Sequence, residues 1–173
     1  MNRLILPLLF LSTSLFAQSK YVREMTATSS ECFDFRSKRD KSVFIAQVGL
    51  MAVSGVARGV NQVISHKYNY YLDRHPRTNQ NWSNPNKSYL NKYADRNPDN
   101  GPKYFGSTTF LVATTDLWHL TDMLSHVPLY VGFVIPLCLK EFRGITPTAI
   151  IFRYCVLVSV NAMAFHLIYD KIY

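Results

Sequence analysis

The sequence has few cysteines, few acidic residues and none of the short motifs that mark common catalytic sites. Its three cysteines (Cys32, Cys138 and Cys155) form no Cys-x-x-Cys pair, so we expect small buried side chains rather than a disulfide framework. Gly-x-Ser-x-Gly, His-Glu-x-x-His and a glycine-rich phosphate loop are all absent. No motif therefore names a reaction or a substrate.

The charge balance excludes some partners. Asp and Glu number 11 against 19 Lys and Arg, for a net charge of +8. A basic surface suits either anionic lipids or nucleic acid. The basic residues are dispersed and flank apolar segments, which favours membrane lipids as partners and disfavours nucleic acid. With 48% hydrophobic and 14% aromatic residues, the chain is not disordered.

The first 17 residues are typical of a signal peptide. "MNR" is a short positive region, "LILPLLFLSTSLF" is apolar, and "FAQSK" offers a cleavage site after Ala17. An uncleaved anchor is the alternative. Either way we expect a protein of the cell-envelope membrane, with a polar N-terminal segment at 18–42.

Residues 43–66 are predicted to form a helix, with Ser42 as the N-cap. One stripe of this helix is polar and comprises Gln47, Ser54, Arg58, Asn61 and Ser65. Gly55 and Gly59 form a Gly-x-x-x-Gly pair, a spacing that lets membrane helices approach closely. The pair predicts self-association or a protein partner at this helix.

Residues 67–106 hold turn signals, including four prolines and "NPDNGP", yet they are rich in Tyr and Trp. We expect a long, ordered, aromatic and basic loop at a membrane interface. Further helices are predicted at 107–126, beginning at Ser107 and breaking at Pro128, then at 128–139, and at 146–173, capped by Thr146. The fold class is all-α: a small membrane-associated helical bundle at 43–173. A soluble bundle remains open, because two of the helices are amphipathic.

The segment "TTDLWHLTDMLSH" places Asp116, His119, Asp122 and His126 on one helical face. The last helix has a second stripe, formed by Cys155, Ser159, Ala162, His166 and Asp170. Ionisable groups in a membrane turn toward the bundle interior. We therefore predict that three polar seams face a shared centre, where Arg58 neutralises Asp116 or Asp122.

Three interpretations of this seam compete. In the first, Asp–His and Asp–Arg pairs fix helix register and nothing reacts. In the second, a divalent metal is bound by His119, His126, His166 and Asp170. In the third, Asp116, His119 and Asp122 are catalytic acid–base groups. Arg58, Trp82, Lys92 and Tyr93 are then the candidate substrate-binding residues.

Two parts of the chain, about 80–120 and 165–173, resemble a group of small uncharacterised exported membrane proteins of bacteria and their phages. The matching segments are "NQNWSNPNKSYLNKY", "GPKYFGSTTFLVATTDLWHL" and the terminal "HLIYDKIY". The matching positions are Trp82, Asn91, Lys92, Tyr93, Gly106, Ser107, Thr108, Thr109, Asp116, His119 and Asp170. The resemblance brings no known activity, and His126 and His166 have no place in it.

The leading hypothesis is a small envelope membrane protein whose buried Asp/His seam is a scaffold for interactions. The alternative is a membrane-embedded, metal-dependent hydrolase or related enzyme acting on a lipid-linked substrate, with the aromatic loop as its lid or as a headgroup contact.

Overall fold

The computed structural model describes residues 38–138 and 145–173, so the predicted signal peptide and most of the polar N-terminal segment lie outside it. The long helices are α1 (Lys38–His66), α5 (Leu117–Cys138) and α6 (Pro147–His166), and a π-helical segment, Leu167–Ile172, extends α6. Between α1 and α5 lie α2 (Tyr68–Arg74), α3 (Gln80–Ser83), α4 (Pro85–Ser88) and the 3₁₀ turns Tyr89–Lys92, Ala94–Arg96, Pro98–Asn100 and Val112–Thr114. The described residues contain no strand, which confirms the all-α prediction.

Helix α1 is the central helix and packs on one side against α5. Gln47, in the first half of α1, contacts Gly132 near the end of α5. Asn61, near the end of α1, contacts Trp118 at the start of α5. The order of contacts is reversed, so α1 and α5 are antiparallel.

The other side of α1 packs against α6. Asp40 pairs with Arg153 near the start of α6, and the Met51 carbonyl accepts a hydrogen bond from Asn161 further along. Here the contacts run in the same order in both helices, so α1 and α6 are parallel. The three helices form an up–down–up bundle.

Two predicted helix starts are wrong. Ser42 lies inside α1, where its hydroxyl donates to the Lys38 carbonyl. Ser107 does not start a helix, because its hydroxyl donates to the Lys92 carbonyl and the chain turns at Gly106, with φ of 82°. Helix α5 starts ten residues later, at Leu117.

Two apolar clusters join α1 to its neighbours. The first contains Phe44, Met51 and Leu157, and the second contains Val63, Ile64 and Tyr71. The second cluster holds α2 and the end of the chain against the last turns of α1, since Tyr71 stacks on Tyr173. The apolar contacts therefore fix α6 and α2 relative to the central helix.

The Gly-x-x-x-Gly pair is covered by the last helix of the same chain. A Cβ on Gly55 would meet the Asn161 carbonyl oxygen and lie 2.8 Å from the Cβ of Ala164. A Cβ on Gly59 would lie 2.7 Å from the Cβ of Ile168. The close approach expected for this motif occurs within one chain, where α6 covers both glycines. Self-association or a protein partner at this helix stays a prediction.

Candidate functional site

The polar stripe of α1 faces α5, as predicted, at four of its five positions. Ser54 and Asn61 are buried, with their side chains directed at α5. Asn61 donates to the Trp118 carbonyl at 3.0 Å and to the Thr121 hydroxyl at 3.1 Å. The Ser65 hydroxyl accepts the indole N–H of Trp118 at 3.0 Å. We call this row of contacts, which begins at Gln47, the α1–α5 seam.

Gln47 hydrogen-bonds to a carbonyl that proline deprives of its helical donor. In an α-helix, each N–H donates to the carbonyl four residues earlier, and proline has no N–H. Pro136 therefore leaves the Gly132 carbonyl without its usual partner. The Nε2 of Gln47, itself 2% exposed, donates to that oxygen at 2.8 Å.

Helix α1 also contacts α5 in the turn before Pro128, the first proline of α5. Pro128 removes a donor and crowds the preceding turn of the helix. In that turn, the hydroxyl of Ser54 donates to the Ser125 carbonyl at 2.5 Å. Helix α5 thus continues through both prolines, and the predicted break at Pro128 is wrong. At Pro136 the neighbouring helix satisfies the carbonyl that the proline releases, which the sequence pattern of α5 alone does not show.

The substitution Gln47→Met is expected to lower the free energy of unfolding by about 1–3 kcal/mol, because a buried carbonyl loses its donor. Adding Pro136→Ala restores a helical N–H to that carbonyl, so the loss should shrink in the double variant, with a coupling energy above about 0.5 kcal/mol. Denaturant unfolding of the purified protein in detergent measures both. Gln62→Met on the same helix is the control, since Gln62 has no hydrogen bond to a described residue. Equal losses with and without Pro136 would contradict this role.

The polar stripe predicted on α6 faces away from the bundle. All five of its residues are exposed: Cys155, Ser159, Ala162, His166 and Asp170. The buried face of α6 contains Ala149, Arg153, Leu157 and Asn161 instead. Arg153 and Asn161 carry more hydrogen-bond donors than Ser or Cys, so their burial requires partners. Those partners, Asp40 and the Met51 carbonyl, lie on α1.

Sequence analysis missed the buried ion pair that joins α6 to α1. The guanidinium of Arg153 donates to both carboxylate oxygens of Asp40, at 2.7 and 3.0 Å, and both side chains are at most 6% exposed. Such two-pronged Arg–carboxylate pairs are strong and directional. A signal was present, because an arginine inside an apolar helix needs a partner.

Asn161 is the second residue that sequence analysis missed. Its Nδ2 donates to the Met51 carbonyl at 3.1 Å and to the Ser54 hydroxyl at 2.9 Å. Because Ser54 also donates to α5, these contacts link all three long helices through one buried hydroxyl.

Asp116 and His119 form a buried pair at the start of α5. Asp116 is fully buried, and its Oδ1 accepts the backbone N–H of His119 at 3.0 Å, which is N-cap geometry. Its Oδ2 accepts from the hydroxyl of Thr115 at 2.9 Å and lies 2.7 Å from Nδ1 of His119. The carboxylate therefore begins the helix and orients the imidazole.

The imidazole of His119 has one nitrogen free. In the described part of the chain its Nε2 has no hydrogen-bond partner, the side chain is 18% exposed, and Trp118 packs edge-on at 4.9 Å. A carboxylate-held imidazole with a free Nε2 is able to accept a proton. No described hydroxyl or thiol hydrogen-bonds to that nitrogen, so the pair lacks the nucleophile of a catalytic triad.

The predicted metal ligands lie apart. His126 pairs with Asp122 at 3.5 Å, and His166 pairs with Asp170 at 2.7 Å; both pairs are about half exposed and lie on different helices. The described ranges, 38–138 and 145–173, contain no group of three or more His, Cys, Asp or Glu that could hold a metal ion. The expectation that His119, His126, His166 and Asp170 share one site is therefore wrong for these residues.

Arg58 does not face the carboxylates that it was predicted to neutralise. It is exposed on the α6 side of α1, where its guanidinium lies 5.2 Å from the ring centre of Phe165. Asp116, which caps the start of α5, and Asp122, within α5, pair with histidines instead. Arg58 lies at the edge of the polar stripe of α1 that is nearer to α6.

The loop between α2 and α5 is ordered by asparagine side chains. Asn79, Asn84 and Asn97 each accept the backbone N–H two residues later, at 2.9 to 3.1 Å. Asn91 donates to the carbonyls of Asn81 and Thr115, at 2.7 and 3.2 Å, and so ties the loop to the start of α5. These contacts agree with the prediction of an ordered loop.

Of the three predicted substrate-binding residues of the loop, Lys92 and Tyr93 contact each other, and Trp82 lies ten positions earlier in the chain. Lys92 lies with its ammonium 5.4 Å from the ring centre of Tyr93, and both are half-buried. Trp82 is 38% exposed. They form part of the ordered loop surface.

The end of the chain docks where α1 ends. Lys67 donates to the Tyr169 carbonyl at 3.1 Å and lies 4.0 Å from the centre of that ring. The Tyr173 hydroxyl hydrogen-bonds to Nε2 of His75 at 2.6 Å. Burial, helped by the nearby Tyr71, raises the pKa of Tyr173, so it remains a neutral phenol around neutral pH.

Comparison of the chain with protein-family models, with curated proteins and with solved structures finds no match. The resemblance to small exported proteins of bacteria and phages stays a prediction.

Proposed function

We propose that this chain is a small integral membrane protein of the cell envelope, in which three helices cross the bilayer and the protein acts by interaction. One observation carries the proposal: the bundle has polar groups at its centre and apolar side chains outside. The centre contains Gln47, Ser54, Asn161 and the Asp40–Arg153 pair, all buried. A water-soluble bundle has the opposite distribution.

The outward surface of all three helices is apolar over a continuous band. The exposed large apolar side chains there are Ile45, Val53, Val56, Val127, Tyr130, Val131, Val134, Ile135, Ile151, Val158 and Met163. Soluble monomers rarely expose so extensive an apolar surface. By length and composition alone, the helices Lys38–His66 and Pro147–Ile172 are sufficient to cross a membrane.

The apolar band ends in exposed polar groups on each helix. These are Arg58 on α1, Asp122 and His126 on α5, and His166 on α6. Ionisable side chains at a membrane boundary keep their charged or polar ends in the headgroup region. The band edge is therefore a natural boundary of the hydrocarbon.

These polar groups lie at one height along the bundle. Asn61 contacts Thr121, and Gly59 packs beside the Phe165 carbonyl, so the levels of the three helices match just here. On α1, the exposed Lys41 and Arg58 enclose the band and are separated by roughly 26 Å at the rise of an α-helix. That is close to the roughly 30 Å of hydrocarbon in a bilayer.

The α1–α5 seam and the buried polar contacts between α1 and α6 then act as the scaffold of the bundle. In a lipid bilayer the hydrophobic effect does not drive helices together. Buried hydrogen bonds therefore keep the three helices in register. The loop that asparagine side chains order lies beyond the boundary of the hydrocarbon. Its exposed side chains Trp82, Tyr89 and Tyr104 are available to the membrane interface or to a partner. The hydrolase alternative has less support, because only the Asp116–His119 pair remains of its predicted site.

Cysteine accessibility tests the proposal. Cys155 is exposed on the apolar band of α6. In a Cys32→Ser/Cys138→Ser background, we expect Cys155 in membrane vesicles to resist a water-soluble maleimide, because lipid excludes both the reagent and the reactive thiolate. Labelling should appear after unfolding in detergent.

The matched control replaces Cys155 by serine and exposed Thr108 of the loop by cysteine; this variant should label in folded vesicles permeable to the reagent. Alkaline carbonate extraction of the full chain should leave it in the membrane pellet. Rapid labelling of Cys155 together with release by carbonate would refute membrane insertion.

A further inference from the structure

A cleft of about 470 Å³ opens where the chain leaves α2, and it is lined by Arg74, His75, Pro76, Arg77 and Thr78. Two arginines of one turn thus line a single open space. Pro76 stiffens the turn between the two arginines, because its ring fixes φ. The turn is closed by the N–H of Thr78, which donates to the His75 carbonyl at 3.0 Å.

Neither arginine is committed to a carboxylate. In the described part of the chain, Arg74 and Arg77 make no ion pair, and even the adjacent Asp73 forms none with them. Arg74 is steadied by the ring of Tyr173, whose centre lies 5.8 Å from its Cζ. Tyr173 is itself held by His75 and, as a neutral phenol, adds no negative charge to the cleft.

The cleft lies beyond the polar end of the apolar band. Helix α2 follows directly on α1, and Tyr71 stacks on Tyr173 at the end of the last helix, with ring centres 6.0 Å apart. In the proposed membrane orientation, on which this inference rests, the cleft lies on the aqueous side of the band edge, roughly 10 Å beyond His166 at the rise of an α-helix. His75 lines the cleft and packs against Tyr71 and Tyr173, and such amphipathic rings are typical of a membrane interface.

We propose that Arg74 and Arg77 bind the phosphate group of an anionic membrane lipid. Two forked guanidinium groups match the geometry of phosphate oxygens and remain charged at any relevant pH. Free phosphate offers the same chemistry, but the position of the cleft beside the bilayer favours the lipid headgroup. Binding would fasten α2 and the end of α6 to the membrane surface.

The test measures thermal unfolding of the full chain in a neutral detergent, with phosphatidylglycerol, phosphatidylcholine or sodium phosphate added at equal ionic strength. Phosphatidylglycerol is expected to raise the unfolding midpoint by roughly 4 °C at tenfold excess over its dissociation constant. Phosphatidylcholine should have a much smaller effect. In Arg74→Gln/Arg77→Gln, the lipid concentration for half-maximal effect should rise about tenfold or more.

The control is Lys87→Gln/Lys103→Gln, which removes the same charge from exposed loop positions and should leave the response unchanged. The single variant Arg77→Gln keeps the Arg74–Tyr173 contact, so it separates the loss of a guanidinium group from the loss of that contact. Equal protection by both lipids, or an unchanged response in the double arginine variant, would overturn the site. If sodium phosphate protects as well as the lipid, the lipid assignment is wrong. Carbonate extraction of the same variants reports on membrane insertion separately.

Discussion

Replacement of Arg153 by methionine is expected to lower the free energy of unfolding by about 3–5 kcal/mol, because it leaves the carboxylate of Asp40 buried without its guanidinium. Asp40 is 1% exposed and accepts two hydrogen bonds from that group. Denaturant unfolding in detergent, followed by circular dichroism, measures the loss. It should be among the largest of any single substitution in the bundle.

The partner substitution makes this prediction specific. Asp40→Leu combined with Arg153→Met removes both charges, and apolar replacement of a whole buried pair is often neutral. The double variant should therefore regain most of the stability lost by Arg153→Met. Arg58→Met, at an exposed site of α1, should cost less than about 1 kcal/mol. A double variant as unstable as the sum of the single ones would contradict a buried pair that acts as a unit.

Gly55→Ala is expected to lower the free energy of unfolding by about 1–3 kcal/mol, although alanine is the better helix former. The added Cβ meets the backbone carbonyl of Asn161, which cannot rotate away, and the Cβ of Ala164 at 2.8 Å. Helices α1 and α6 must therefore separate. The same unfolding measurement in detergent quantifies the cost.

Gly49 of the same helix provides the matched control. A Cβ at Gly49 meets nothing within 4 Å, so Gly49→Ala should be neutral or stabilise by up to about 1 kcal/mol through helix propensity. Opposite signs at the two glycines are the expected signature of close packing of α6 on Gly55. Stabilisation by both substitutions would show that α6 does not approach α1 in this way.

The stripe prediction succeeded on α1 and failed on α6, for a physical reason. On α1, Gln47 and Asn61 are large amides whose burial requires partners, and the stripe that they define faces α5. On α6, the predicted stripe was anchored by His166 and Asp170, which satisfy each other locally at 2.7 Å. A self-paired group does not need a helical partner, so it carries little information about which face is buried.

The predicted break of helix α5 at Pro128 was the other error. Local rules treat Pro128 as the end of a helix, because the lost hydrogen bond is assumed to stay unmade. Pro128 deprives the Leu124 carbonyl of its helical donor, yet the helix continues, and Ser54, more than seventy positions earlier in the chain, donates to the adjacent Ser125 carbonyl. Only the packing of α1 on α5 brings these groups together.

By itself the sequence determined the helical class, the ordered loop and the α1 stripe that faces α5, since periodicity and turn chemistry are local properties of the chain. Tertiary structure alone decided that Arg153 pairs with Asp40, that α5 passes through its prolines, and that the three Asp–His pairs stay separate. Each of these outcomes depends on which helix lies beside which. That choice is made by the summed packing and hydrogen bonding of distant segments, which no single stretch of residues contains.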